Sequence, residues 1–222
     1  MKRKSDLPDA RIRLLFLLLA ILSLGVYNVF TYSTSHQKNI AYWDRSFTDP
    51  PSVREYYLEA LQIAQQWRQD AQLVDADVQF YPQQWHRQPR VALVFRGTDS
   101  LYASLILHYI DGSVEQEEIT QTTPWQVRPI GSNEWELDTS DVLEIAQNNG
   151  GRAFLSEHPG AEVWVQLGRY GPVGTSGVWW LVKYIDFSSR EDCMFAIDAV
   201  SGRIGYSGSV SGFQDWRLSG TQ

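Results

Sequence analysis

Asp198, in the stretch CMFAIDAVSGRI (residues 193–204), is the carboxylate whose neighbours raise the question of chemistry most directly. As a general acid or base it would need a titratable companion within hydrogen-bond reach, and the adjoining sequence supplies none. As a corner residue it needs only backbone N–H groups two or three positions on, and a glycine able to turn left-handed; Gly202 meets that need. The corner is the expected role. His36, His86, His108 and His158 are scattered, without the spacing that sets two imidazoles on one helical face for zinc. His108 falls in an apolar strand and is expected on its solvated or half-buried side. No Gly-x-Ser-x-Gly elbow occurs, so a hydrolase triad has no local anchor. Gly168, Gly171, Gly174 and Gly177 share one loop, but no Gly-Lys-Ser/Thr follows and the loop leads to a strand, which argues against a phosphate cradle. It reads instead as a hairpin loop with Tyr170 and Pro172 at its tip, a protruding contact element. Cys193 is the only cysteine, so no internal disulfide or cysteine metal cluster can form, and its apolar strand suits burial. These residues predict no catalytic group, no metal and no cofactor.

The elements that position these residues begin after a membrane signal. Lys2, Arg3, Lys4, Arg11 and Arg13 precede the apolar run Leu14–Phe30, which is long enough, with its flanks to Tyr32, to cross a bilayer as a helix. The basic bias keeps the N-terminus cytoplasmic and sends the rest across. A cleaved signal peptide is the rival, but the segment after the run lacks a small-x-small site. No cysteine follows closely, so a lipid-modified cysteine anchor is not expected. The expected order is a basic cytoplasmic tail (1–13), a single-pass transmembrane signal anchor (14–32), a juxtamembrane linker (33–51), a first α+β module (52–123), a connector (124–137) and a second α+β module (138–222). Beyond residue 13 the chain carries 14 basic and 24 acidic residues, a net of −10, which argues against nucleic-acid binding.

Within the modules, Ser52 and Glu55 form a capping box before Val53, Tyr57, Ala60, Leu61, Ala64 and Trp67, predicting a helix over about 53–70. Strand-like runs ADVQFY, RVALVFRG, LYASLILHYI and VEQEEI follow, with Asp111-Gly112 as a hairpin turn. The layout then recurs. Asp138 opens a second helix, Gly150-Gly151 stops it, RAFLSEH adds another turn, and AEVWVQLGRY, GVWWLVKYI, CMFAIDAV and RIGYSG supply four more strands. The repeat is roughly 85 residues, and the expected fold is two tandem modules in which a helix backs an antiparallel sheet. A single larger sheet built from both halves is the alternative.

Trp180, Val182, Ile197, Asp198, Ala199, Ser201, Gly202 and Ile204 resemble the closing strands of PepSY-like domains. Their pattern is Trp-x-Val, a loop, then Ile-Asp-Ala-x-Thr-Gly-x-Ile. Serine stands here for threonine. The resemblance spans about 139–206, and the first half matches only in layout. It implies a PepSY/cystatin-like, extracytoplasmic, non-catalytic module that regulates proteases or serves as an interaction element.

Trp179 and Trp180 are adjacent in a strand and must point to opposite faces. One is expected beneath a helix and the other on the second face, available for contact. Trp43, Trp85, Trp125 and Trp135 fall near linkers and loops, where packing between modules is favoured over an exposed binding surface. The functional expectation is a membrane-anchored interaction or regulatory protein, an accessory subunit of a membrane complex or a regulator of an envelope protease. Its expected partners are the bilayer, through Leu14–Phe30, and a protein in the membrane or envelope. A glycan or small-ligand module using exposed aromatics is the second expectation, and an enzyme with a site assembled from distant residues the third.

Overall fold

Pro50 and Pro51 hold the chain out of helical geometry, and Ser52 then caps helix α1 (Val53–Trp67) by accepting the Glu55 N–H at 3.1 Å. The computed structural model describes residues 50–82, 88–98, 102–110, 112–120 and 128–219. The anchor expected at Leu14–Phe30, most of the linker, and His36, Trp43, Trp85, His86, Asp111 and Trp125 lie outside the described residues. No helix among the described residues is long and apolar enough to cross a membrane.

Four strands follow α1 in an antiparallel meander: β1 (Gln72–Phe80), β2 (Arg90–Arg96), β3 (Ala103–Ile110) and β4 (Ser113–Thr120). The second half opens with α2 (Thr139–Ala146). The chain kinks at Asn149 and Gly150 and resumes as α3 (Arg152–Glu157). Its meander comprises β5 (Glu162–Gly168), β6 (Trp179–Asp186), β7 (Glu191–Asp198) and β8 (Ile204–Gly208).

The fold is α+β, and the expectation of two separate sheets is corrected. The strands form one eight-stranded antiparallel sheet in the order β4-β3-β2-β1-β5-β6-β7-β8. The first strands of the two halves pair with each other, Val78 opposite Val165. An unpaired β1 or β5 would leave an open ladder of N–H and C=O groups, and their pairing removes both edges at once. It also merges the two inner faces. Ala76, Val78, Leu93, Val165, Trp180 and Tyr184, all fully buried, belong to a single core beneath α1, α2 and α3. The N-termini of α1 and α2 meet over this core. The Asp138 carboxylate accepts the Val53 N–H at 3.1 Å and the Ser52 hydroxyl, so one anion faces the positive ends of two helices.

A C-terminal helix, α4 (Val210–Ser219), was not foreseen. Its sequence, VSGFQDWRLS, contains a glycine and has little helical patterning of its own. Its first N–H is held by Asp192 of β7 at 2.6 Å, and Phe213 is buried against Trp179, Leu181, Met194 and Ala196 on the outer sheet face. Tertiary packing, rather than propensity, makes this helix.

The corner at Asp198 forms as expected. Its Oδ1 accepts the Ser201 N–H and hydroxyl, each at 2.8 Å, and the Val200 N–H at 3.2 Å. Gly202 donates its N–H to the Asp198 carbonyl at 3.0 Å with φ +73°, a conformation costly for any residue with a Cβ. Gly112 likewise adopts φ +71° at the β3–β4 turn.

Candidate functional site

The period of two along β1 sends Ala76, Val78 and Phe80 inward and Asp75, Asp77 and Gln79 outward. Register then places Asp77 opposite Gln166 of β5, and Trp164 opposite Lys183 of β6. A polar strip therefore runs across the three central strands on the face away from α1–α3. Tyr170, just past β5, donates its hydroxyl to Asp75 Oδ2. Lys183 Nζ donates to Gln166 Oε1, and Gln166 in turn bonds the Asp77 carboxyl. Gln79 Nε2 and Trp164 Nε1 converge on Glu162 Oε2 at 2.8 and 3.3 Å. Asp77 Oδ1 is buried with no hydrogen-bond partner among the described residues.

Burial dominates the electrostatics of the strip. It pushes the Asp75 carboxyl up to about 7, with the Tyr170 bond opposing, the Asp77 charge adding and Lys183 opposing. Burial likewise raises Asp77 to about 6, against the charge of Lys183 and the bond from Gln166. The Lys183 ammonium is pulled below its usual value by burial, though both aspartates resist. Burial, followed by the charge and bond of Asp75, pushes the Tyr170 phenol far up. The strip thus holds two carboxyls that change charge close to neutrality, beside one vacant acceptor oxygen. It can exchange a proton near neutral pH and accept a charged donor.

This arrangement corrects the expectation for Tyr170 and Pro172. Tyr170 is half-buried and turned onto Asp75, and Pro172 is buried. The exposed part of the loop is residues 173–177, with Val173 61% accessible. The loop is held down because Val173 donates its N–H to the Arg217 carbonyl of α4 at 2.7 Å. Trp179 and Trp180 point to opposite faces as expected, but neither offers a contact surface. Trp180 lies fully buried in the core, its Nε1 donating to the Leu137 carbonyl at 3.1 Å. Trp179 is 4% accessible, edge-on to Trp216 of α4 at 5.7 Å. Trp135 is buried as well, edge-on to Trp180 at 6.3 Å.

A second constellation joins groups that the sequence left scattered. His158, the residue after α3, meets Asp186 through Nδ1 at 3.1 Å and Glu191 through Nε2 at 2.9 Å. Ser189 Oγ bonds Asp186 Oδ2 at 3.0 Å. Serine, histidine and aspartate are all present, but a nucleophilic triad needs one ring nitrogen for the carboxylate and the other for the hydroxyl. Here both nitrogens face carboxylates. The cluster ties the β6–β7 hairpin to the end of α3. Bonds from the Ser188 side chain and N–H hold the Asp186 carboxyl well below its ordinary value. Cys193 of β7 is half-buried, and burial raises its thiol, which suppresses the reactive thiolate. On β3, His108 is half-buried on the outer face and lies 3.2 Å from Glu117. Among the described residues no group of three His, Cys, Asp or Glu is arranged to hold a metal ion.

Arg169 was also missed by the sequence reading. Its guanidinium reaches the Glu134 carboxylate at 2.7 and 2.9 Å and the Pro129 carbonyl at 2.6 Å, clamping the connector to the end of β5. Only the fold brings these residues together.

No family model matches this chain, and no curated relative does. Among solved structures, a chain of Clostridium difficile 630 named as a candidate lipoprotein aligns with 75% of this chain and 96% of its own length. The identity is 12% and the TM-score 0.46. A likeness that remote leaves the function to be read from the chain's own residues.

Proposed function

We propose that this chain is a membrane-anchored, extracytoplasmic interaction module, non-catalytic, that presents the polar strip of its outer sheet face to a protein partner. The observation that carries this reading is Asp77 Oδ1, a desolvated acceptor without a donor among the described residues. A buried acceptor left unsatisfied costs about 1–3 kcal/mol. A lysine or arginine from a partner would remove that cost with a charge-assisted bond. Among the described residues, α4 is the helix on this face, and it packs against β7 and β8, away from the strip. The apolar run Leu14–Phe30 and the basic residues before it support the tether and its direction. The resemblance of the closing strands to PepSY-like domains supports the role of accessory subunit or protease regulator.

The test is gentle detergent extraction of the tagged full-length chain from its native membranes. Wild-type chain is expected in a complex of defined size and composition. Asp77→Lys, which puts a like charge against a cationic partner group, is expected to run as the free chain while keeping its far-ultraviolet dichroism. Wild-type chain recovered only as a free monomer would overturn the reading, as would an undiminished complex in Asp77→Lys.

A further inference from the structure

A cleft of about 320 Å³ opens on the helix side of the sheet, between α1 and the connector. Its long wall is a stripe at four-residue spacing, Tyr57, Leu61, Gln65 and Gln69, which one helical face and its continuation must produce. Gln72 and Ser132 complete the rim. The opposite wall is fixed before any ligand arrives. Ile130 donates its N–H to the Leu73 carbonyl at 2.7 Å, and Gly131 donates its own to Glu134 at 2.7 Å. Glu134 is in turn gripped by Arg169. The floor is equally set: the Tyr57 ring stands edge-on to the buried Trp135 at 5.8 Å, and Leu73 and Ile130 are buried beside it.

The chemistry of the rim is uncharged. Gln65, Gln69, Gln72 and Ser132 are exposed, and no hydrogen bond among the described residues engages their side chains. Asp70 is the single ionisable carboxylate of the lining, and its Oδ2 already accepts the Thr98 N–H at 2.7 Å and hydroxyl at 2.6 Å. Among the described residues no lysine, arginine or histidine lines the cleft, so they offer an anionic ligand no counter-charge. An apolar ligand would leave the rim amides facing it without partners. A small ring with hydroxyls at its edge and C–H groups on its face satisfies both surfaces. The volume is of the size that small-molecule sites occupy.

We propose that this cleft binds one neutral sugar ring, lying against Tyr57 and Leu61 and hydrogen-bonded by the glutamines at its rim. The site is independent of the strip on the other face. The ring is either a free sugar or the end unit of a glycan, and the test separates the two. In the full-length chain in detergent micelles, glutamine side-chain amide resonances are followed while glucose, N-acetylglucosamine and chitotetraose are added in turn. Saturable shifts of Gln65, Gln69 and Gln72 are expected, and the uronic acid of glucose should produce much weaker ones. Equal affinity for single ring and oligomer assigns a free sugar; a preference of about tenfold or more for the oligomer assigns a glycan end. Gln69→Ala, an exposed change that leaves the core intact, should weaken binding about tenfold, and Tyr57→Ala should abolish it. The absence of saturable shifts with all three neutral sugars at concentrations up to about 10 mM, or binding unchanged in both variants, overturns the assignment.

Discussion

Strands β2 and β6 hold equivalent places in the two halves, and so do β3 and β7, yet their outward residues differ sharply. On β2 and β3 the outer face carries Ala92, Val94, Ile106 and His108, all half-buried. On β6 and β7 it carries Trp179, Leu181, Met194 and Ala196, none more than 4% accessible because α4 roofs them. The inner faces show no such divergence: Leu93 and Leu107 in one half and Trp180 and Val182 in the other are all fully buried. A shared inner face is what merges the halves into one sheet. The outer face is free to vary: β6 and β7 use it to hold a helix, β2 and β3 leave it half-buried, and a polar strip crosses β1, β5 and β6. The strip sits at the join because β1 and β5 are central. The far edge, β4, carries Glu115, Glu117 and Glu118, charges that discourage another strand from pairing there.

If the inner face is the common foundation, removing it must cost more than removing the roof. Trp180→Ala should destabilise the protein by about 4–5 kcal/mol, the upper range for emptying a large buried site, since it also strands the Leu137 carbonyl. Phe213→Ala, on the roof, should cost about 3 kcal/mol at most, because α4 can undock and leave the sheet folded. Urea unfolding followed by far-ultraviolet dichroism measures both, and binding of a hydrophobic dye in native buffer should rise only for Phe213→Ala. Equal losses in the two variants would mean that roof and foundation are one cooperative unit.

The sequence made the inner face legible and the outer face obscure, for physical reasons. Alternation in RVALVFR, capping at Ser52 and the Asp198–Gly202 corner are local signals, and each formed where it was expected. Pairing of β1 with β5 is a choice between distant segments, and alternation within each strand is satisfied whichever partner is taken. Helix α4 escaped notice because its stability comes from Trp179 and Leu181, far off in sequence. The strip escaped for the same reason. Asp75 and Asp77 look like ordinary solvated positions of a half-exposed strand until register sets Gln166 and Lys183 around them. The pair Trp179-Trp180 suggested exposure, since a strand with two aromatics on opposite faces needs two coverings; the chain supplies both.

The strip is distinguished further by its pH response. A carboxyl whose folded value is raised binds its proton more tightly in the native state, so stability falls as pH rises. For Asp75 the window runs from about 4, where the unfolded carboxyl ionises, to about 7, where the folded one does. Asp77 adds to the fall up to about 6. Asp75→Asn keeps an acceptor for Tyr170 but removes the charge, and should gain about 2 kcal/mol over wild type at pH 7.5 and little at pH 4. Urea midpoints at the two pH values decide this. A variant whose stability follows the wild-type curve in parallel would show that Asp75 ionises as an ordinary surface carboxylate.

Asp198 provides the opposite sign and the smallest effect, at the β7–β8 corner and outside the strip. Burial raises its carboxyl, but the bonds from Ser201 and Val200 and the charge of Arg203 outweigh that and leave it below its ordinary value. Its contribution is therefore complete above about pH 4, the unfolded value, and is lost as pH falls through the lower folded one. Asp198→Ala should cost about 1 kcal/mol at pH 7, the typical worth of a turn or cap bond, and the deficit should shrink in acid. Asp198→Asn, which keeps an acceptor oxygen, should recover part of it. A catalytic or ligand-binding aspartate would behave differently, since its replacement by alanine commonly leaves stability unchanged or raises it. A stabilised Asp198→Ala variant would therefore reopen the question of chemistry at this corner, while a loss that fades at low pH fixes Asp198 as the residue that turns β7 into β8.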